Sequence, residues 1–366
     1  MGSYTNLIDA RLKETQKSSY AREAYQSFFT SPEWMNVDLS EDFSKLLDEN
    51  VSMFQFPYFR QNFALWRVFF NALYYSSKES GFWNTITSDY MVMDSFVVLF
   101  TSFELVSKGM ISLLLYPFLS KENDTEMQRY LADYHKSYVE KLGTVAFYLH
   151  DYQAVIDDLS EKWSKCKDWT WTDYFSWSMI WFDLQAKRLI SSCLQGAYDE
   201  DPGTTPVIVK YNAMGITDKE AAMASFKQNI ADIEHVKVDD AAIYVKDKKQ
   251  DKPYSSVYAK IEVPRYAAFT DVLHALSDKG FVVKKIAGQE NVMVKYDVKA
   301  NAAGMKEIMS NPYVTPLYEY GDGRDPLKHY CFFKVPTYKL AEQVELVDDV
   351  IAESAKEHDI KLIHNF

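Results

Sequence analysis

The segment Asp199-Glu200-Asp201-Pro202-Gly203-Thr204-Thr205-Pro206 cuts this chain between two residue patterns that cannot share one core. Before it, from Tyr20 to about Gly196, apolar and aromatic residues recur three and four apart, with few glycines and few alternating β-branched runs. That is the period of helices burying one side. After it, short β-branched runs alternate with amphipathic stretches. Acids, prolines and glycine serve neither period, so the break reads as a linker. The sequence therefore predicts an α fold followed by α+β. A helical domain at 1–198 and a linker at 199–206 precede an α+β domain at 207–300 and an additional α+β segment at 301–366. A chain of 366 residues is long enough to bury two sizeable cores.

Within the first pattern, Pro32-Glu33-Trp34 opens a helix or the loop before one, and Pro57 interrupts the next segment. Phe59 to Glu79 lines Phe63, Trp66, Phe70 and Leu73 along one helical face, and Val68, Phe69 and Tyr75 widen it beyond a single buried side. Asp89 is placed to cap a helix over Met91 to Leu119, and Pro117 to limit its end. Asp94, Glu104 and Lys108 interrupt that stretch and leave uncharged runs too short to span hydrocarbon, so it reads as a buried helix of a bundle. Glu126 to about Asp151 sets Tyr130, Tyr134 and Tyr138 four apart beside charged residues, and Asp151 to Lys165 and Thr172 to Gly196 complete the bundle.

The second pattern predicts strands at Val207 to Tyr211, Val236 to Val238, Ile243 to Val245, Val257 to Val263, Phe281 to Ile286 and Val292 to Val298, with helices at Asp218 to Ile230 and Phe269 to Lys279. Beyond 301 it predicts helices at Ala302 to Ser310 and Tyr338 to Glu357, and strands near Val314 to Tyr320, Tyr330 to Val335 and Ile360 to Ile363. No repeat of fixed period stands out.

Acidic residues outnumber basic ones 52 to 40, and the net charge of −12 argues against a broad phosphate-binding footprint, so no nucleic-acid partner is expected. Cys166, Cys193 and Cys331 show no CxxC or CxxH spacing and read as reduced, mostly buried thiols. Met1 to Thr15 is polar without the apolar core of a signal peptide, and Asn6 stands where an N-myristoylation pattern wants Ser or Thr. The expectation is a cytoplasmic chain with no membrane partner.

The chemistry-bearing motifs are few. No Glu is followed three residues later by His, the spacing that puts two metal ligands of a di-iron bundle on one helix face. Asp232/His235 and Asp271/His274 have comparable spacing but lie in the α+β part, where they read as solvated pairs. Asp94 and Glu104 need partners on so apolar a helix, and Lys108, four residues on, supplies one for Glu104. No glycine-rich phosphate loop and no Gly-x-Ser-x-Gly elbow occurs, and Gly321-Asp322-Gly323 reads as a turn. Trp163, Trp169, Trp171, Trp177 and Trp181 crowd one region, either as core or as anchors for another subunit, with core the default.

Leu65-Trp66-Arg67-Val68-Phe69-Phe70-Asn71-Ala72-Leu73, the long apolar helix, Asp168-Trp169 opening a helix with Phe175, and Cys193-Leu194 before an acidic turn together resemble the hydroxylase β subunit of bacterial multicomponent, soluble di-iron monooxygenases. The resemblance covers roughly residues 20 to 200 and implies a ferritin-like bundle without metal ligands. Val236-Lys237-Val238-Asp239-Asp240-Ala241-Ala242-Ile243-Tyr244-Val245 is similar to a recurring pattern of the same systems' coupling, or effector, protein. Thr170-Trp171 looks inserted against the family, and residues from about 300 on have no counterpart in it. The resemblance implies a non-catalytic accessory subunit, in hetero-oligomer with an α subunit that carries the di-iron centre, and no cofactor in this chain. Trp66, Asp168, Trp169 and Trp171 are the candidate partner interface. A rival reading is a small-metabolite-sensing regulatory protein in which a ferredoxin-like βαββαβ stretch, Val257 to Tyr320, binds the ligand.

Overall fold

The computed structural model describes residues 31–87, 89–119, 125–142, 147–197, 204–246, 255–264, 268–286, 288, 290–299, 310–321, 328–342 and 363–364. The helices predicted at Ala302 to Ser310 and Tyr338 to Glu357 fall largely outside these residues. The chain folds as two units: one comprises 31–71 with 93–202, and the other contains 72–92 and the chain from 203 onward.

Helices run in the order α1 Ser31–Asp48, α2 Tyr58–Ser80, α3 Phe82–Ile86, α4 Asp89–Leu115, α5 Glu126–Leu142, α6 Tyr152–Lys165 and α7 Trp171–Ala197. Their starts follow from capping chemistry. Asp151 accepts from the Ala154 amide at 3.0 Å at the N-terminus of α6. Thr170 and Asp173 form a reciprocal pair on α7: the Asp173 amide donates to Thr170 Oγ1 at 3.2 Å, and the Asp173 carboxylate accepts from the Thr170 amide at 2.7 Å. Thr125, whose Oγ1 accepts from the Gln128 amide near the start of α5, also donates its hydroxyl to Asp173. One buried carboxylate thus ties two helix N-termini together. Thr170-Trp171 supplies the cap and first residue of α7.

On α5 the buried residues Met127, Leu131, His135, Tyr138 and Leu142 recur three and four apart, and α1 packs along that helix. Tyr138 stacks on Tyr134 and shares a 3.3 Å hydroxyl contact with Tyr152. The expectation of a buried helix after Met91 is corrected by α4. Its Asp94, Lys108 and Leu105 are buried, but Phe103, Leu113 and Leu114 are about two-thirds exposed, at 70%, 67% and 67%. Among the described residues, Asp94–Phe118 is one helix long and apolar enough to cross a membrane.

In the α+β part, β1 Thr204–Asn212, β2 Lys237–Lys246, β3 Ser256–Pro264 and β4 Phe281–Ile286 form an antiparallel sheet in the order β2-β3-β1-β4. Helix α8 Lys219–Ala231 joins β1 to β2, and α9 Ala268–Asp278 joins β3 to β4. This is the βαββαβ arrangement of ferredoxin-like domains. A second antiparallel sheet, of β5 Asn291–Lys299, β6 Thr315–Gly321, β7 Lys328–Pro336 and β8 Ile363–His364, has the order β6-β7-β5-β8. Shifted by four strands, the two orders coincide. The topology therefore recurs without a recurring residue pattern, because strand pairing needs alternation and not identity. The βαββαβ unit runs from β1 to β4, so the predicted stretch Val257 to Tyr320 straddles two sheets. β5 lies before residue 301 yet pairs with β7 and β8 beyond it.

β1 begins at Thr204, inside the expected linker. The strands predicted at Val236 to Val238 and Ile243 to Val245 are one strand, β2, whose register on β3 shifts between Val238 and Ile243. A five-residue step on β2, from Val238 to Ile243, faces a two-residue step from Ile261 to Ala259 on β3, so Asp239 to Ala242 bulges while pairing resumes beyond it. The core joins Val209 of β1 and Ile261 of β3 to Phe226 of α8, Leu273 of α9, Val294 of β5 and Phe333 of β7 in one cluster. Asp218 caps α8 by accepting from the Ala221 amide at 2.8 Å.

Candidate functional site

The helical unit holds a buried charge cluster. Lys108 of α4 reaches Glu104, one turn earlier, at 2.5 Å and Asp183 of α7 at 3.3 Å. Lys187 of α7 reaches Asp183 at 2.9 Å and Glu104 at 4.0 Å. The pairing of Glu104 with Lys108 is as the spacing predicts. Asp183 and Lys187 were legible only as an i,i+4 pair on an apolar helix, a signal the tryptophans around them obscured. The cluster balances to zero charge, which is what burial of four ions demands.

Burial by itself would raise the Asp183 carboxyl, but the ammonium groups of Lys108 and Lys187 outweigh it and hold it at about 2. Burial would lower Lys187, and Asp183 and Glu104 outweigh it to hold its ammonium well above the ordinary lysine value. His135 of α5 lies nearby with its ring 4.6 Å from Phe43. Burial, reinforced by Lys108 and Lys187, lowers it to about 3, so its imidazole is neutral. Among the described residues neither of its ring nitrogens has a hydrogen-bond partner. Lys187 also sits over the Tyr138 ring at 5.1 Å, and burial raises that phenol to about 12.

The cluster has the chemistry of a structural clamp. Both lysines contact Asp183 through Oδ2, and among the described residues no group of three or more His, Cys, Asp or Glu side chains is arranged to hold a metal. Asp232 pairs with Lys279 at 3.0 Å, while His235 and Asp271 are exposed. Cys331 is buried and Cys166 half-buried, but Cys193 is exposed, and none of the three is in a disulfide.

Trp169 and Trp171 lie at the surface, contrary to the default core reading, while Trp163, Trp177 and Trp181 are half-buried. Trp163 stacks on Trp177 at 4.9 Å and Trp177 on Trp181 at 6.0 Å, one helical turn apart along α7. Trp169 lies 5.5 Å from Trp163 and 6.4 Å from Trp171. Trp169 and Trp171 are exposed by 46% and 68%, and Asp168 beside them is exposed too. Trp66 stands apart from this ladder: half-buried on α2, it pairs with Phe69 and Phe70 and donates Nε1–H to Ser102 of α4 at 3.0 Å. Of the four predicted interface residues, the fold brings Asp168, Trp169 and Trp171 together at the start of α7.

A further opening of about 420 Å³ lies where the start of α2 meets the end of α4, lined by Phe56, Phe59, Arg60, Gly109, Leu113 and Tyr116 among others.

No protein family matches this chain, and no curated protein matches it. Among solved structures, one described as an unknown protein from Galdieria sulphuraria aligns at 9% identity over 44% of this chain and 98% of its own, with a TM-score of 0.17. A likeness that weak carries neither fold nor function across.

Proposed function

We propose that this chain is a non-catalytic subunit that holds partner proteins and does not itself turn over a substrate. The observation that carries the reading is the exposed pair Trp169 and Trp171 at the end of an aromatic ladder with the half-buried Trp163, Trp177 and Trp181, because exposed indoles backed by a packed aromatic row are strong anchors for another surface. The buried charge cluster supports the same reading, since its lysines and carboxylates pair with each other.

The specific form comes from the resemblance. It is an accessory and regulatory subunit of a soluble di-iron monooxygenase complex that hydroxylates a hydrocarbon or similar small organic substrate with O2. A ferritin-like helical unit would support the iron-bearing α subunit, and the α+β region would act as a fused effector whose tethering raises its local concentration. Isolation of the chain from its native cells at low salt, followed by mass spectrometry, tests it. A companion of roughly 500 residues with two Glu-x-x-His sequences and bound iron is the expected result. A chain that purifies alone, or only with signalling proteins, overturns it.

The βαββαβ topology of β1 to β4 favours a second reading, a regulatory protein sensing a small metabolite. A metabolite that raises the melting temperature of the full chain would support it.

A further inference from the structure

Helix α4 is built inside out. The positions turned into the helical unit, Asp94, Val98, Thr101, Leu105, Lys108 and Ser112, are spaced three and four apart, and four of the six are polar. The positions turned outward, Phe96, Leu99, Phe103, Val106, Met110 and Leu113, keep the same spacing and are all apolar. Every exposed residue of α4 from Phe96 to Leu114 is apolar. Alternating steps of four and three over this length are the mark of a helix that packs against another helix, knob into hole, and not of a stripe that merely faces solvent. Phe63 and Phe70 add to the face from α2, which runs antiparallel beside α4: Trp66 meets Ser102, and Phe59 lies against Gly109.

The size of the face limits what it can be. With aromatic and aliphatic side chains exposing on the order of 100 Å² each, it amounts to roughly 1,000 Å² per chain, above the ~800 Å² per partner of a stable interface. It also exceeds the ~300–600 Å² of the largest apolar patch on a typical monomer. A net charge of −12 and the lack of any basic residue along the outward stripe of α4 disfavour an anionic lipid surface; the exposed basic residues beside this face, Arg60 and Arg67, lie on α2.

We infer that this face is a two-fold interface with a second copy of the chain, α4 crossing α4 antiparallel between Phe103 and Val106. The stripe matches itself about that point. Phe103 comes opposite Val106, Leu99 opposite Met110, and Phe96 opposite Leu113, so longer side chains meet shorter or more pliable ones. This surface is separate from the tryptophan ladder of α7 and goes beyond the partner reading above.

Sedimentation of the full chain, with and without Phe103→Glu, tests the inference. The expected result is a dimer that becomes a monomer in the variant with an unchanged far-ultraviolet circular dichroism spectrum. Should Phe103→Glu fail to fold, Phe103→Cys on a Cys193→Ser background keeps the question open to measurement: a short bis-maleimide should link it into dimers, while an exposed-site control, Ser164→Cys on the same background, should stay monomeric. A monomeric wild-type chain, a dimer that survives Phe103→Glu, or a monomer that co-sediments with phosphatidylcholine vesicles overturns it, the last in favour of a lipid surface.

Discussion

Lys108 on α4 and Asp183 on α7 face each other at 3.3 Å inside the helical unit, and Lys187 lies 2.9 Å from the same Asp183 oxygen. One carboxylate therefore answers for two ammonium groups from two helices. Among the described residues, Asp183→Leu leaves Glu104 at 4.0 Å as the one carboxylate facing Lys187, and uncompensated buried charge of this kind costs about 3–5 kcal/mol. Urea unfolding should show that loss as a lowered midpoint, and adding Lys187→Met should recover part of it. An unchanged midpoint in Asp183→Leu would mean that the cluster is solvated and not a clamp.

Acid should weaken the helical unit before Asp183 is protonated. His135 is held at about 3 when folded, whereas an unfolded histidine titrates near 6.5, so the unfolded chain takes up the proton first as pH falls. Its contribution is complete above ~6.5 and is lost progressively down to about 3, at about 1.4 kcal/mol per pH unit. Asp183, at about 2, acts in the same direction, but only below its unfolded value near 3.9. His135→Phe, edge-on to Phe43, should flatten the stability profile between about pH 6 and 4.5. Equal slopes for wild type and variant there would sink the assignment.

Asp173 joins the starts of α5 and α7 through Thr125 and Thr170. Asp173→Ala removes both ties and leaves the Thr170 amide without its acceptor, for an expected loss of about 2–3 kcal/mol. Thr170→Ala, which keeps the tie to Thr125, should cost about 1 kcal/mol. Thermal unfolding orders the two; equal effects would count against the double role.

Trp171 is 68% exposed, so Trp171→Ala should change stability by no more than about 0.5 kcal/mol. If the ladder is a docking anchor, the same substitution should weaken a co-purifying partner by about tenfold or more, the scale of an interface hot spot. A large fall in melting temperature would instead make Trp171 part of the fold.

Much of the fold was legible because local rules decide it. The helices over Tyr58–Ser80, Tyr152–Lys165 and Lys219–Ala231 follow from periodicity and caps within a few residues of their own ends. The bulge at Asp239 to Ala242 was not, since only the register of β3 beside it distinguishes a break in a strand from two strands. The ladder was legible as a crowd of tryptophans, but which side of α7 they take depends on what the other side binds.

By itself the sequence determined the change from helical to strand period at the acidic break, the class α followed by α+β, and the pairing of Glu104 with Lys108. Each of these lives within one or two helical turns or one alternating run. Only the tertiary structure decided that Asp183 and Lys187 complete the charge cluster, that two sheets repeat one strand order, and that α4 turns its polar positions inward and its apolar ones out. The physical reason is that burial belongs to a position's neighbours across space: α7 supplies opposite charges to the polar side of α4, and with that side satisfied the helix can leave its apolar side free for another surface.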